Sequence, residues 1–418
     1  MGCTSSISKR YDIRRKKKLC IQEVVVFIPP MKIPMETDIL RPLRGLISRD
    51  LSERLLALRN RILLLAEGTD VSAISELQQS LEDYMPFLLG LTKKEYRLEE
   101  MVEFKWKSLG DDKREICIAS SWYELLSTVH MMAMLSLSEA NTMLIPKDSK
   151  DVCERKVSED CKKTAVDLLL KASGYLQCCV RYILVQMPQN VKLRLPKDLQ
   201  EGVLEAISIQ ALGLGTEMQL GMAVESQKAT LSVKRRLACE QVSYFAQAHH
   251  CLSGCVSEGY GKKHILFIKW KYLEAKAAAY YYHGLILDKG NKPIDHISAV
   301  CCLLAADELL IDSKRACLSF CLDVPVTRAP PVWGAMKHLH QKIPEVASKK
   351  SQMYAYLFEQ EKSPHELPDL PDFPLSLKPD DYEMPEVDPS WGSEKSEPEI
   401  QTLKEHLEDE EEDAVEIE

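Results

Sequence analysis

Long hydrophobic runs are missing from this chain of 418 residues. No uninterrupted apolar string approaches the 18 or so residues that cross a bilayer. No apolar stretch follows the charges near the N-terminus, so neither a membrane span nor a secretory leader is expected. Aromatic residues are few, at 7%, and Tyr280-Tyr281-Tyr282 has no basic companions. That run reads as helix packing, and no nucleic-acid groove is expected. A phosphate-cradling loop is also missing, because Gly213-Leu214-Gly215 lies inside a helical pattern with no strand before it. His249-His250-Cys251 with Cys255 lacks a second ligand pair at finger-like spacing, and no metal or other cofactor is expected. Cys301 or Cys317 could be paired on paper with His283 or His338, but no hydrolase signature surrounds them, and the chain reads as a non-enzyme. The fourteen cysteines are scattered, several within helical stripes (Cys178, Cys179, Cys301, Cys302). They read as reduced, buried small hydrophobes of a cytosolic protein.

What is present is helix. The clearest stretch is KYLEAKAAAYYYH, where Ala275, Ala278, Ala279 and Tyr282 fall on one stripe at i, i+3, i+4 and i+7. Gly290 then stops the helix and Pro293 opens the next, whose stripe is read as Ile297, Val300, Cys301, Leu304 and Ala305. Two antiparallel helices with small residues at their contact form the unit of tetratricopeptide-type repeats. No strict period recurs, so the expectation is a solenoid-like core and not a regular array. Further helices are expected over residues 51–66, 71–89 (broken near Pro86), 121–143, 157–187, 199–226, 228–252 and 344–361. Residues 23–28, EVVVFI, read as a short strand ended by Pro29-Pro30. Beyond residue 363 prolines recur too often for helix, yet Leu370, Phe373, Leu377, Tyr382 and Trp391 are too apolar for a plain linker. An extended strap along the helical body is expected.

The net charge of -9 hides an asymmetry. Lys9, Arg10, Arg14, Arg15, Lys16, Lys17 and Lys18 crowd one end and an acidic run the other, which points to an anionic surface and a solvated tail. Met1-Gly2-Cys3-Thr4-Ser5-Ser6 fits N-myristoylation at Gly2, with Cys3 placed for palmitoylation. A single acyl chain holds a membrane only marginally. Here Cys3 and the seven bases would supply the second signal, each base adding roughly 1 kcal/mol near an anionic leaflet.

The order of segments resembles a known family. VVVFIPPMKIPMETDILRPLRGLI is similar to the opening of the Bro domain, the module of ALIX-like and BROX-like proteins. EAISIQALGLGTEMQL, KATLSVKRRLACEQVSYF and KWKYLEAKAAAYYYHG resemble its helical core, and the apolar strap before Pro389-Ser390-Trp391 its wrap-back. The lipidated head resembles the plant endosomal Bro-domain proteins. The resemblance implies a mostly α fold: one elongated, curved domain with a tetratricopeptide-like core, a short N-terminal β element and an extended C-terminal strap. Its bounds would be 22–392, between an anchor at 1–21 and an acidic tail at 393–418.

The resemblance also implies a function, as an adaptor on the cytosolic face of endosomes in multivesicular-body sorting. Its partner would be the C-terminal amphipathic helix of an ESCRT-III subunit, laid into an apolar groove. The family's groove residues fall at Val233 and Leu237, with Leu377 contributed by the strap. Lys234, Arg235 and Arg236 surround the first two, which suits a partner helix with acidic flanks. A helical scaffold for a different peptide is the alternative.

Overall fold

The computed structural model describes residues 21–67, 73–109, 115–145, 157–254, 260–329, 334–360 and 366–395. Gly2, Cys3, the basic cluster and the acidic tail from residue 396 lie outside them. In chain order the elements are β1 (Lys32–Pro34), α1 (Leu40–Leu43), α2 (Arg49–Glu67), α3 (Ala73–Leu91), β2 (Glu103–Ser108), β3 (Glu115–Ala119) and α4 (Ser121–Leu144). Then come α5 (Glu159–Cys178), α6 (Leu184–Gln186), α7 (Gln189–Lys192), α8 (Glu201–Glu225), α9 (Leu231–Leu252), α10 (Tyr260–Leu287), α11 (Pro293–Leu322), α12 (Gly334–Met353) and α13 (Ala355–Gln360). A π-helical turn, Cys179–Ile183, joins α5 to α6.

The long helices pack as successive neighbours: α2 on α3, α3 on α4, α4 on α5, α5 on α8, α8 on α9, α9 on α10 and α10 on α11, with α12 lying against both α8 and α11. Each amphipathic helix thus buries its stripe between neighbours, as the small-residue contacts require. Ala275, Ala278, Ala279 and Tyr282 are all buried. On α11 the buried set is Ile297, Val300, Cys302, Leu303, Ala306, Leu310 and Phe320. The expected stripe was rotated from this one, since Leu304 faces solvent.

Several expectations shift for physical reasons. Residues 23–28 do not form a strand. Val24, Val25, Val26 and Phe27 are buried in succession, with one bridge from Glu23 to Arg328. The N–H groups of Val25 and Val26 both donate to Asn141 Oδ1 at 2.9 Å. A side chain satisfies this backbone where a sheet would otherwise have done so. The sheet lies just downstream, antiparallel in the order β1-β2-β3. α3 runs through Pro86 unbroken, and α12 begins ten residues before Pro344 because Ala335, Met336, Leu339 and Ile343 already bury a stripe. The span Glu159–Gln186 is long and apolar enough in a windowed sense to cross a membrane, but most of that window is buried inside the fold.

Buried charges knit these layers together. Arg59 of α2 donates to Glu124 of α4 at 2.8 Å and to the carbonyls of Lys105 and Met35, while Trp106 Nε1 donates to the same carboxylate at 2.6 Å. Lys263 on α10 donates to the carbonyls of Phe320, Asp323 and Pro325, placing a cation at the C-terminal end of α11. Between α8 and α10, Lys271 is flanked by Glu217 at 2.9 Å and Glu274 at 3.2 Å. Such pairs hold a register well, although their desolvation offsets much of their attraction.

The strap is extended as expected, and its course is paved with glycine. Leu377 crosses α8 at Gly215, where an added Cβ would meet Leu377 Cδ1 at 2.9 Å. Asp380 crosses α5 at Gly174, whose Cβ would meet Asp380 O at 2.4 Å, and Asp380 N donates to Leu170 O. Tyr382 packs edge-on to Tyr175 at 4.6 Å. The strap ends with Trp391 buried on α3.

Candidate functional site

α9 opens at Thr230, whose Oγ1 accepts from the N–H of Val233 at 3.3 Å, an ordinary N-cap. Val233 therefore sits in the first turn, where the helix presents its positive end. Val233 is 45% exposed, so its methyl groups are open to solvent beside the basic residues that follow it. Leu237, one turn on, is half-buried and packs on the cluster that holds Leu220, Ala238 and Tyr280. The structure brings these two residues together on one face. Lys234 and Arg235 are partly exposed and Arg236 is exposed beside them.

The strap walls one side of this face. Leu370 and Phe373 pack on the same cluster as Leu237. The Arg235 guanidinium stands 5.8 Å from the Phe373 ring centre and 3.3 Å from His283 Nδ1. Burial, and then the neighbouring Arg235 charge, hold the His283 imidazole below its ordinary pKa. Glu240, one turn beyond Arg236, has a fully buried carboxylate. Its Oε1 accepts from Arg236 Nε at 2.7 Å, and its Oε2 from Ser376 N at 2.8 Å and from the Ser376 hydroxyl. Leu377 is placed two turns further along α9 than Leu237, where its carbonyl accepts from Tyr244 O–H at 2.7 Å. The strap residues that share the cluster of Leu237 are Leu370 and Phe373. The apolar pattern of the strap contained both, but nothing in it specified which would land beside Leu237.

The site offers an apolar pair, a basic rim and a helix N-terminus, which together suit an amphipathic helix with acidic flanks. Among the described residues no cluster of three or more His, Cys, Asp or Glu is placed to hold a metal. Burial raises the Cys301 thiol above its ordinary pKa. Cys317 and Cys321 form a hydrogen-bonded pair in which Cys317 is raised and Cys321 lowered, each first by that bond.

Comparison with known proteins agrees with this architecture. The profile of the BRO1-like domain matches residues 29–350. No curated protein sequence matches the chain. Among solved structures, ALIX in complex with the SIVmac239 PYKEVTEDL late domain superposes with a TM-score of 0.63 at 16% identity, over 87% of this chain and 50% of ALIX. The chain thus spans about half the length of that protein. The ALIX BRO1–CHMP4C complex gives 0.60 at 16% identity, over 88% of this chain and 97% of the other. A Bro1 domain described as a structural basis for endosomal targeting gives 0.57 at 16% identity, over 91% and 98%. These likenesses establish the fold, and the profile match across most of the chain establishes the family. The chain belongs to the BRO1-like domain family.

Proposed function

We propose that this chain is a membrane-anchored adaptor in endosomal sorting that binds the C-terminal amphipathic helix of an ESCRT-III subunit on the α9 face. In this reading the chain acts as a scaffold and not as an enzyme. The observation that carries the reading is Val233, 45% exposed in the first turn of α9, with Leu237 one turn away and three bases around them. The solved complex of the ALIX BRO1 domain with CHMP4C supports a partner-binding role for a chain of this fold. Gly2 and Cys3 would supply the acyl anchor, and Lys9 to Lys18 the attraction to an anionic leaflet. Anchor and groove on one chain make a weak helix contact effective at the membrane surface.

Two measurements test the two halves. The full chain is titrated with a C-terminal ESCRT-III helix peptide beside Val233→Asp and Leu237→Asp, with circular dichroism to show that both variants stay folded. The wild type binds, and each charged variant weakens binding by roughly tenfold or more. No binding by the wild type leaves a helical scaffold for a different peptide. Separately, the acylated chain floats with anionic vesicles, and Gly2→Ala does not.

A further inference from the structure

Away from α9, the outer face of α11 carries a line of large apolar side chains left exposed among the described residues. Leu304, Ile311 and Leu318 recur every seven residues and are 41%, 45% and 59% exposed. A regular exposed line on one helix differs from the scattered surface leucines of ordinary proteins. The charges beside it are ordered by sign. Asp307 and Glu308 stand between Leu304 and Ile311, whereas Lys314 and Arg315, with Asp312 before them, stand between Ile311 and Leu318. Arg315 is occupied only by an exposed pair with Asp312 at 2.9 Å, in which both side chains remain more than half exposed.

We infer that this face is a self-association surface, taken by α11 of a second copy of this chain running antiparallel about Ile311. A two-fold axis there sets Ile311 against itself and Leu304 against Leu318 of the other copy. It also brings Glu308 opposite Arg315 and Asp307 opposite Lys314, on matching flanks of the seam. These two acid–base pairs each occur twice by symmetry, which is the self-complementarity an isologous interface requires, while Asp312 stays with Arg315 of its own helix. A parallel pairing would set Glu308 beside Asp307 of the other copy and Arg315 beside its Lys314, and like charges across a helix seam repel. The sign order therefore selects both the occupant and its direction. The seam is short, so it belongs with the weak end of specific interfaces. This inference stands independently of the α9 groove. Joined to that reading, the pair would carry two grooves and engage a helix-bearing filament bivalently.

The test is sedimentation equilibrium of the full chain over a concentration series up to its solubility limit, with helicity checked by circular dichroism. The wild type is expected to show concentration-dependent dimerisation, and Ile311→Arg to remain monomeric. Glu308→Arg and Arg315→Glu are each expected to weaken the dimer by roughly tenfold, since each spoils two symmetric pairs. The double variant Glu308→Arg with Arg315→Glu restores it. All three positions are solvent-facing, so the variants fold. A wild type that stays monomeric at every concentration, a dimer indifferent to Ile311→Arg, or a double charge swap that fails to rescue would each overturn the proposal.

Discussion

The indole of Trp391 occupies the space where a side chain at residue 90 would stand. A Cβ on Gly90 would lie 2.0 Å from Trp391 Cε2, and the indole N–H donates to Phe87 O at 3.1 Å. Tyr96 closes the pocket, its ring 5.0 Å away and its hydroxyl donating to Trp391 O at 2.8 Å. The far end of the strap is thereby fastened to α3, four helix layers from the α9 face it walls.

Gly90→Ala is therefore expected to expel the indole while leaving α3 intact, since alanine favours helix over glycine. The loss resembles that of truncating a buried tryptophan, about 3–5 kcal/mol. Thermal denaturation reads the magnitude, and limited proteolysis reads the location. Cleavage should begin within residues 378–395 while the helices survive. A variant as stable as the wild type would show that the strap's end is not fastened there.

The near end depends on Glu240. Glu240→Gln replaces one acceptor oxygen with a donor NH2, which must face either Arg236 Nε or the Ser376 N–H and hydroxyl that now donate there. Leaving a buried donor unmatched costs about 1–3 kcal/mol. Hydrogen exchange at residues 373–377 is expected to accelerate well before the core amides do. Ser376→Ala removes one of the two bonds and should cost about 1 kcal/mol. If exchange at residues 373–377 is unchanged in both variants, Glu240 does not hold the strap.

Much of this fold was legible in sequence because helical periodicity is local. The stripe through Ala275, Ala278 and Ala279 needed no knowledge of its neighbours. Val24 to Phe27 misled for a non-local reason. Their β-branched run is met by Asn141, more than a hundred residues away, and not by a strand. On α11 both faces carry apolar residues, so the stripe through Leu304 could not be told from the buried one through Leu303. At the candidate site, spacing placed Val233 and Leu237 on one face. The neighbours supplied by the strap depend on where it crosses Gly215, Gly174 and Gly90, and those glycines look like ordinary helix-contact residues in sequence.

The ion cluster between α8 and α10 makes a prediction about pH. Lys271, held above its ordinary pKa by Glu217 and Glu274 despite burial, is the only cation paired to both carboxylates among the described residues. Lys271→Met leaves two buried carboxylates uncompensated, a loss of about 3–5 kcal/mol near neutral pH. Burial already raises Glu217 above its ordinary value, against the pull of Lys271. Without the lysine its folded-state pKa rises further. A carboxyl raised in the folded state takes up its proton more readily there than in the unfolded chain, so its penalty shrinks as pH falls. The gap in melting temperature between wild type and variant should narrow from pH 8 toward pH 5. A gap independent of pH would show that lost packing, and not charge, sets the cost.

The two fully buried histidines are expected to lead the acid sensitivity of the wild-type fold. His264, whose Nε2 lies 2.8 Å from Gln210 Oε1, is pushed down to about 3 by burial. His130 is pushed down to about 4 by burial and then by Lys32. Both are lowered below the ordinary value of 6.5, so the unfolded chain binds their protons first. Their neutral burial is therefore undisturbed above about pH 6.5, and stability is lost progressively as pH falls toward 4. At about 1.4 kcal/mol per pKa unit, each contributes on the order of 2–3 kcal/mol across that window. Asp288 and Asp388 are both lowered from 3.8, so their contributions disappear only below that value, outside the histidine window. A melting-temperature series from pH 7 to pH 4 should therefore fall steadily in the wild type. His264→Gln starts lower at pH 7, because it disturbs a packed site, but it loses less on acidification. Equal slopes in the two proteins would place the acid sensitivity elsewhere than His264.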